Sequence, residues 1–180
     1  MGELIILRHG ETEWSRTGRH TGRTDVALTA RGEKQARALA PTVAGLAGAP
    51  VAVDPDLWEW DYGGYEGRST AEIRAERPGW FLWEDGVVPG DAAHPGETVE
   101  QVGARADAML GRVRPLLDGG AVVLVAHGHL LRVLTARWLG LEPAAGRLFK
   151  LGTGTMSALG AEHDRPVIAS WNVPAGPAAA

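Results

Sequence analysis

The stretch LIILRHGETEW, residues 4–14, decides the fold. A run of branched apolar residues leads directly into Arg8, His9 and Gly10. Continuous apolar runs of this kind are typical of strands that helices cover on both faces. We therefore predict a buried strand over residues 3–7 that ends on a cation, an imidazole and a glycine.

A second stretch repeats the arrangement. The run AVVLV, residues 121–125, leads into His127, Gly128 and His129. In open α/β sheets, ligands bind beyond the carboxyl ends of the strands. Two neighbouring strands would bring His9 and His127 to one crevice, and the glycines would let a ligand approach the main chain.

Composition narrows the class of protein. The chain has 180 residues, a formal net charge of −4 and no cysteine. A single domain over residues 1–173 with a disordered tail over 174–180 is expected. Disulfide and thiolate chemistry are excluded, and the charge argues against a nucleic-acid partner. No signal peptide and no apolar run long enough for a membrane are found, so a cytoplasmic location without membrane contact is expected.

Strand and helix patterns alternate along the chain, which predicts an α/β fold. Apolar stripes at helical spacing predict helices over 30–47, 70–76, 99–117 and 130–139. Thr29 is the expected N-cap of the first, and capping boxes begin the second and third at Ser69–Glu72 and Thr98–Gln101. Weaker strand patterns cover 51–53, 155–159 and 167–171, and a surface loop is expected over 78–97.

An arginine beside a histidine at a strand end suits phosphoryl chemistry. Arg8 can hold a phosphate through two parallel hydrogen bonds. A neutral His9 can attack phosphorus and become a phosphohistidine, and the neighbouring cation favours that neutral form. His127 can stabilise the charge that develops on the transferred oxygens. A general acid must still protonate the leaving oxygen.

The pair His127 and His129 is also compatible with a metal site. Zinc would require further histidine or carboxylate ligands at suitable positions. His94, His163 and two aspartates are available, but they show no tight spacing. We therefore predict that no metal and no other cofactor takes part, and that His129 lines the pocket or the start of its helix.

Several blocks together resemble the histidine phosphatase superfamily, the family of phosphoglycerate mutases and their phosphatase relatives. They are LRHGETEW, GRHTGRTDVALTARGEKQA, LWEWDYGGYEGRS, GET and VLVAHGHLLRVL. The resemblance covers roughly residues 3–160 in motif order. It implies a three-layer α/β/α sandwich of the phosphoglycerate-mutase-like type, with a mostly parallel central sheet.

The resemblance also implies a role for each matching residue. His9 matches the nucleophile, Arg8 a phosphate-binding arginine, His127 the second histidine of the pocket, and Glu59 the proton donor to the leaving group. Further substrate-binding positions are Ser15, Thr21, Gly22, Gly128 and His129. The family uses no metal and no nucleotide.

The sequences of these motifs most resemble those of the phosphatase branch of the family, which includes acid phosphatases and sugar bisphosphatases. We therefore expect metal-independent hydrolysis of a small phosphorylated substrate through a phosphohistidine on His9. A mutase that transfers the phosphoryl group to another acceptor is the enzymatic alternative. A homodimer is left open.

One departure from the family pattern is large. The family follows its first helix with a strand that ends in Ser-Pro-x-x-Arg and opens another helix, and no such segment occurs here. We therefore predict a fold that lacks one strand–helix unit and the second phosphate-binding arginine. Arg19, Arg23 or Arg37 could replace that contact. A catalytically impaired protein that binds phosphorylated ligands is a further alternative.

Overall fold

The sheet is built from four strands in the order β2-β1-β3-β4. The computed structural model describes residues 2–46 and 48–174. Helices lie on both faces of the sheet, which confirms the predicted three-layer architecture. The strands are β1 (Leu4–Arg8), β2 (Val122–Ala126), β3 (Thr155–Glu162) and β4 (Arg165–Pro174).

The two apolar runs lie side by side. Strands β1 and β2 pair in parallel, so that Arg8 is level with Ala126. His9 then donates its main-chain N–H to the Ala126 carbonyl at 3.1 Å. Because both strands run in the same direction, the Arg8-His9-Gly10 and His127-Gly128-His129 segments leave the sheet at one edge.

The expectation of a mostly parallel sheet is wrong. Strand β3 pairs antiparallel with β1, and β4 pairs antiparallel with β3. A two-residue turn joins β3 to β4, and both of its residues, His163 and Asp164, have positive φ of 48° and 59°. Such turns match the twist of antiparallel hairpin strands. The sequence here carries no helix between the two strands, so a parallel crossover is impossible.

Six helices accompany the sheet in the described part of the chain, and the predicted long ones end earlier than expected. The longer ones are α2 (Ala30–Val43), α5 (Val99–Val113) and α6 (Gly128–Trp138), and the shorter ones are α1 (Glu13–Thr17), α3 (Thr70–Glu76) and α4 (Leu82–Asp85). Short 3-10 turns continue α2 to Leu46 and α5 to Asp118. The expected N-cap at Thr29 and both capping boxes are present.

The weak strand predicted over 51–53 is absent. Val51 and Val53 are 95% and 93% exposed, so no neighbouring strand covers them. Strand β2 is therefore an edge strand of the sheet, and its Val125 is 60% exposed. The missing unit has left this edge without a pairing strand in the described chain, and only the short 3-10 turn at Pro55–Leu57 lies near it.

The predicted loop over 78–97 is partly helical, because it contains α4. Trp80 and Trp83 anchor it, and both side chains are buried in the hydrophobic core. Trp58 behaves differently from its neighbours, since 47% of it is exposed. Strand β4 ends at Pro174, and the rest of the predicted tail lies outside the described residues.

Candidate active site

A cavity of about 600 Å³ opens at the carboxyl ends of β1 and β2. Arg8, His9, His127 and Glu59 all line it. These are the four residues expected to do chemistry, and they come from three separate parts of the sequence. The parallel pairing of β1 with β2 explains why the first three meet.

His9 is held in one tautomer. Its Nδ1 lies 2.7 Å from the main-chain oxygen of Gly10. A carbonyl oxygen can only accept, so Nδ1 carries the proton and Nε2 carries the lone pair. Burial lowers the pKa of His9 below its usual value, and the nearby His127 and Arg8 act in the same direction. The lowered pKa favours the neutral form of the ring, with a lone pair on Nε2.

His127 faces His9 across the cavity. The ring centroids are 5.0 Å apart, with an angle of 60° between the planes. His127 is the N-cap residue of α6, and its side chain makes no capping hydrogen bond. Its ring nitrogens are thus available to a ligand at the amino-terminal end of the helix, where main-chain N–H groups favour anions.

Arg8 is the cation of the site. One end of its guanidinium donates to the carbonyl of Leu151, and its Nε is buried without a hydrogen-bond partner. Gly128 packs against it, since a Cβ at that glycine would lie 3.0 Å from the Arg8 Cζ. Buried polar groups are nearly always paired. The Nε of Arg8 therefore has a hydrogen-bonding capacity that no described protein group uses.

Glu59 is buried, with 6% of its surface exposed. Its carboxylate accepts from the main-chain N–H groups of His129 and Leu130 at 3.0 and 2.8 Å, and from that of Trp60 at 3.0 Å. Burial alone would raise the pKa of this carboxyl, but the adjacent imidazoles and these donors lower it to about 2. In the ligand-free protein Glu59 is a carboxylate.

His129 is neutral and oriented. Its Nδ1 lies 2.6 Å from the hydroxyl of Tyr62. Burial lowers the pKa of His129 to about 3 and raises that of Tyr62 well above its usual value. Two neutral groups are therefore joined by one hydrogen bond, and His129 is among the residues that line the cavity.

The other predicted substrate-binding residues differ in whether they line the cavity and in whether their polar groups already have protein partners. Ser15, Thr21 and Gly22 line the cavity, whereas Gly128 is not among the lining residues. The Ser15 hydroxyl exchanges hydrogen bonds with Thr12 in a capping box that begins α1. The Gly22 N–H already donates to the Glu66 carboxylate at 2.8 Å. Gly128 acts through close packing on Arg8.

Of the three arginines considered as replacements for the missing one, only Arg19 lines the cavity. Arg23 pairs with the buried Asp61 at 3.1 Å. Arg37 pairs with Glu33 on the exposed face of α2. Arg19 donates to the Gly67 carbonyl at 3.0 Å and has no carboxylate partner in the part of the chain that the structure describes.

Motif reading missed several residues of the cavity. His20 is only 9% exposed, lines the cavity and packs against the rings of Tyr62 and Trp80. Trp80 and Trp83 were not missed, since the sequence favoured packing and pocket lining equally for them, and they are both core residues and cavity lining. The sequence signal for His20 was its place beside Thr21 and Gly22, inside a block already assigned to the site.

The alternative of a metal centre finds no support in the geometry. Among residues 2–46 and 48–174, no three histidine, aspartate or glutamate side chains are grouped so that they could hold a metal ion. The two histidines proposed as a metal pair have different neighbours, since His127 faces His9 and His129 contacts Tyr62.

Within the same described ranges, no helix is long and apolar enough to cross a membrane.

Comparison with known proteins agrees with this geometry. The profile of the histidine phosphatase superfamily (branch 1) matches residues 4–49 and 40–174. The match is in two pieces that meet around residues 40–49. This is the point of the chain where a strand–helix unit was expected and is missing.

Individual relatives carry phosphatase names. An acid phosphatase of Mycobacterium tuberculosis is 37% identical, over 89% of this chain and 87% of its own length. Sedoheptulose 1,7-bisphosphatase of Saccharomyces cerevisiae is 34% identical, over 76% of this chain and 67% of its own. A solved structure of an open reading frame product of M. tuberculosis superposes with a TM-score of 0.87 at 34% identity, covering 97% of this chain and 99% of that one.

Proposed function

The chain belongs to the histidine phosphatase superfamily, and from this premise we propose that it hydrolyses small phosphomonoesters through a phosphohistidine on His9. The observation that carries the proposal is the pairing of a neutral His9 with an arginine whose buried Nε has no partner, in the same cavity. The phosphatase names of its relatives support hydrolysis as the reaction.

In the first step, Nε2 of His9 attacks phosphorus and the bond from phosphorus to the ester oxygen breaks. Arg8 neutralises the phosphoryl oxygens through its free donors, and His127 hydrogen-bonds the same group from the facing wall. In the second step, water attacks phosphorus and the N–P bond breaks, which returns His9 and releases phosphate.

Glu59 is proposed to serve both steps. As a carboxylate it can take a proton from the attacking water directly. To protonate the leaving oxygen it must first be protonated, although its pKa in the free protein is about 2. A bound phosphate dianion favours that protonation, because a like charge nearby raises the pKa of a carboxyl group.

Hydrolysis of p-nitrophenyl phosphate in EDTA, beside a His9→Ala variant, tests the proposal. We expect turnover by the 180-residue chain and its loss in the variant. Labelling with ³²P from a radioactive substrate, followed by acid lability of the label, should identify phosphohistidine. A folded protein without turnover would instead support the alternative of a relative that binds phosphorylated ligands without hydrolysing them. The absence of the second phosphate-binding arginine is the reason for considering that alternative.

A further inference from the structure

No step of the proposed reaction uses the GET block, residues 96–98. Thr98 is the N-cap of α5, and Glu97 precedes it in the chain. Glu97 forms an ion pair with Arg105 of the same helix, in which Oε1 and Nε are 2.7 Å apart. Exposed ion pairs contribute little to stability. This pair is largely shielded from water, because only 14% of the Glu97 side chain and 19% of the Arg105 side chain are exposed.

The guanidinium of Arg105 has no spare donor. A guanidinium carries five N–H donors, and the Glu97 carboxylate takes two of those of Arg105, at 2.7 and 2.9 Å. The other three go to main-chain carbonyls, those of Asp56 at 2.8 Å, Trp58 at 3.0 Å and Glu59 at 3.3 Å. Because the donors of a guanidinium lie in one rigid plane, Arg105 fixes these three carbonyls relative to α5.

The segment that carries Glu59 has no regular structure of its own, since residues 58–62 belong to no helix or strand. Trp60 and Asp61 are nevertheless fully buried, and buried main-chain groups need partners. Glu97 exchanges main-chain and carboxylate hydrogen bonds with Asp61, both at 2.9 Å, and its carbonyl accepts from the Trp60 indole at 2.8 Å. Glu97 and Arg105 together therefore provide the hydrogen bonds that a neighbouring strand would provide.

Glu59 is thus held at both of its ends. Arg105 binds its main-chain carbonyl from α5, whereas the carboxylate accepts from the main-chain N–H groups of His129 and Leu130 at the start of α6. The proposed reaction requires this carboxylate to reach first the leaving oxygen and then the attacking water. A misplacement of about 1 Å at a reacting group can cost on the order of 10²-fold in rate.

Arg105 does not lie where a substrate could touch it. It is not among the arginines that line the cavity, which are Arg8, Arg19, Arg74, Arg132 and Arg147. Glu97 is not among the lining residues either. An effect of this ion pair on the reaction must therefore pass through residues 56–61 to Glu59.

We propose that Arg105, paired with Glu97, is a positioning residue for the reaction, and that it holds Glu59 where the carboxylate can serve both proton transfers. The inference rests on the proposed function, in which Glu59 protonates the leaving oxygen and later takes a proton from water. Loss of Arg105 should therefore damage only the steps that need Glu59. Attack of His9 on an ester whose leaving group needs no proton should keep its rate.

Rapid-mixing kinetics of Arg105→Gln with two substrates test the proposal. p-Nitrophenolate leaves without protonation, so kcat/KM for p-nitrophenyl phosphate, which reports the first step, should stay nearly unchanged. Its kcat should fall about 10-fold, the value of one charge-assisted contact, after a burst that approaches one p-nitrophenol per active site. The alkoxide of glycerol 3-phosphate must be protonated as it leaves, so that for this substrate kcat/KM should fall about 10-fold as well.

A merely structural role predicts a different result. Loss of folded protein would lower kcat and kcat/KM of both substrates in the same proportion, and it would lower the burst per enzyme. That outcome would refute the proposal. If Arg105→Gln fails to fold, Glu97→Gln supplies the same test, because the amide keeps the size of the side chain and removes the charge that pairs with Arg105. We expect the same pattern with a smaller loss.

Arg137→Gln is the matched control. Arg137 of α6 also makes two hydrogen bonds to a carboxylate on α5, that of Asp107 at 2.9 and 3.0 Å, and it also donates to a main-chain carbonyl, that of Leu141. None of these partners lies within residues 56–61. The variant should lose a comparable part of the free energy of unfolding and keep the kinetics of both substrates.

A second measurement separates the failure of this proposal from the failure of the proposed function. If the wild type hydrolyses neither ester, the proposed function fails, and amide hydrogen exchange then decides on the positioning. The N–H groups of His129 and Leu130, which Glu59 accepts, should exchange about 10-fold faster in Arg105→Gln than in the wild type or Arg137→Gln. Unchanged exchange at these two amides would show that Arg105 does not hold the Glu59 carboxylate.

Discussion

Glu59 Oε2 accepts a 3.0 Å hydrogen bond from the main-chain N–H of His129. The proposed acid–base residue is thus bound to the first turn of α6, the helix that follows the second histidine of the cavity. The carboxylate stabilises the helix start through charge and hydrogen bonding. The adjacent imidazoles and this hydrogen bond together lower the pKa of Glu59, so that it is a carboxylate before any substrate enters.

The first prediction concerns the two steps that Glu59 is proposed to serve. In Glu59→Gln one amide oxygen replaces the two carboxylate oxygens that accept from the main chain, and the side chain can no longer take a proton from water. With p-nitrophenyl phosphate, whose leaving group needs no protonation, the first step should survive and the second should slow about 10²- to 10³-fold. Stopped-flow measurement should show a burst of one p-nitrophenol per active site. Slow release without a burst would contradict the assigned role in water activation.

The second prediction is a loss of stability in acid with two separate causes. His129 is held neutral in the fold, with its pKa lowered from 6.5 to about 3. The unfolded chain therefore binds a proton first, and stability falls as the pH drops below 6.5. Glu59, whose pKa is lowered from 4.5 to about 2, adds a further loss only below pH 4.5.

Urea unfolding at a series of pH values checks this order. The free energy of unfolding of His129→Gln should depend less on pH between 6.5 and 4.5, although His9 and His20, whose pKa values are also lowered by burial, will keep part of that slope. Glu59→Gln should flatten only the part below pH 4.5. Identical profiles for the wild type and both variants would disprove the linkage to these two groups.

The sequence predicted the β1 and β2 strands and the polar residues that follow them at one edge of the sheet, because both runs are apolar throughout and each stops at a polar residue. It could not predict the direction of β3, because strand pairing depends on partners distant in the chain. It misjudged residues 51–53, where three small apolar residues suggest a strand but the partner strand is missing. The local residue pattern shows which secondary structure a segment can form, whereas the presence of a partner strand decides whether a strand forms.

The arginines of the cavity illustrate a second limit. Arg74 and Arg132 lie on different helices, and Arg147 lies in the 3-10 turn at Pro143–Leu148. In sequence each looks like a solvated charge on an exposed surface. Only the folded chain shows that Arg132 donates to the carbonyls of Gly146 and Arg147 and lies 4.7 Å from the ring centroid of Trp83.

The third prediction concerns the contact that positions His9. A Cβ at Gly32, near the start of α2, would lie 2.0 Å from the main-chain oxygen of Glu11, and one at Gly10 would lie 2.2 Å from that of Gly32. Gly32→Ala should force the helix away from this loop and cost about 1–3 kcal/mol of stability. Because Gly10 accepts the hydrogen bond from His9, kcat should fall as well.

Gly111→Ala is the control for that substitution. Gly111 lies on the exposed side of α5, and a Cβ there meets nothing within 4 Å. Alanine should stabilise the helix by about 0.5–1 kcal/mol and leave kcat unchanged. Chemical denaturation and steady-state kinetics on both variants suffice. A Gly32→Ala protein as stable and active as the wild type would show that the helix start is not packed on the His9 loop.

The fourth prediction follows from the free edge of the sheet. Strand β2, VVLVA, carries no charge and no proline, and Val125 is 60% exposed on it. Such an edge offers unpaired main-chain groups to other chains, and native proteins usually place a charged residue on it.

Val125→Lys should slow aggregation at high protein concentration. It should change the free energy of unfolding by no more than about 0.5 kcal/mol, as expected for an exposed site. Val173→Lys, at a valine that is 42% exposed on β4 at the other edge of the sheet, controls for added charge. Light scattering during storage at 37 °C measures the aggregation of both variants. If the two lysines slow aggregation equally, the effect comes from net charge alone and not from the β2 edge.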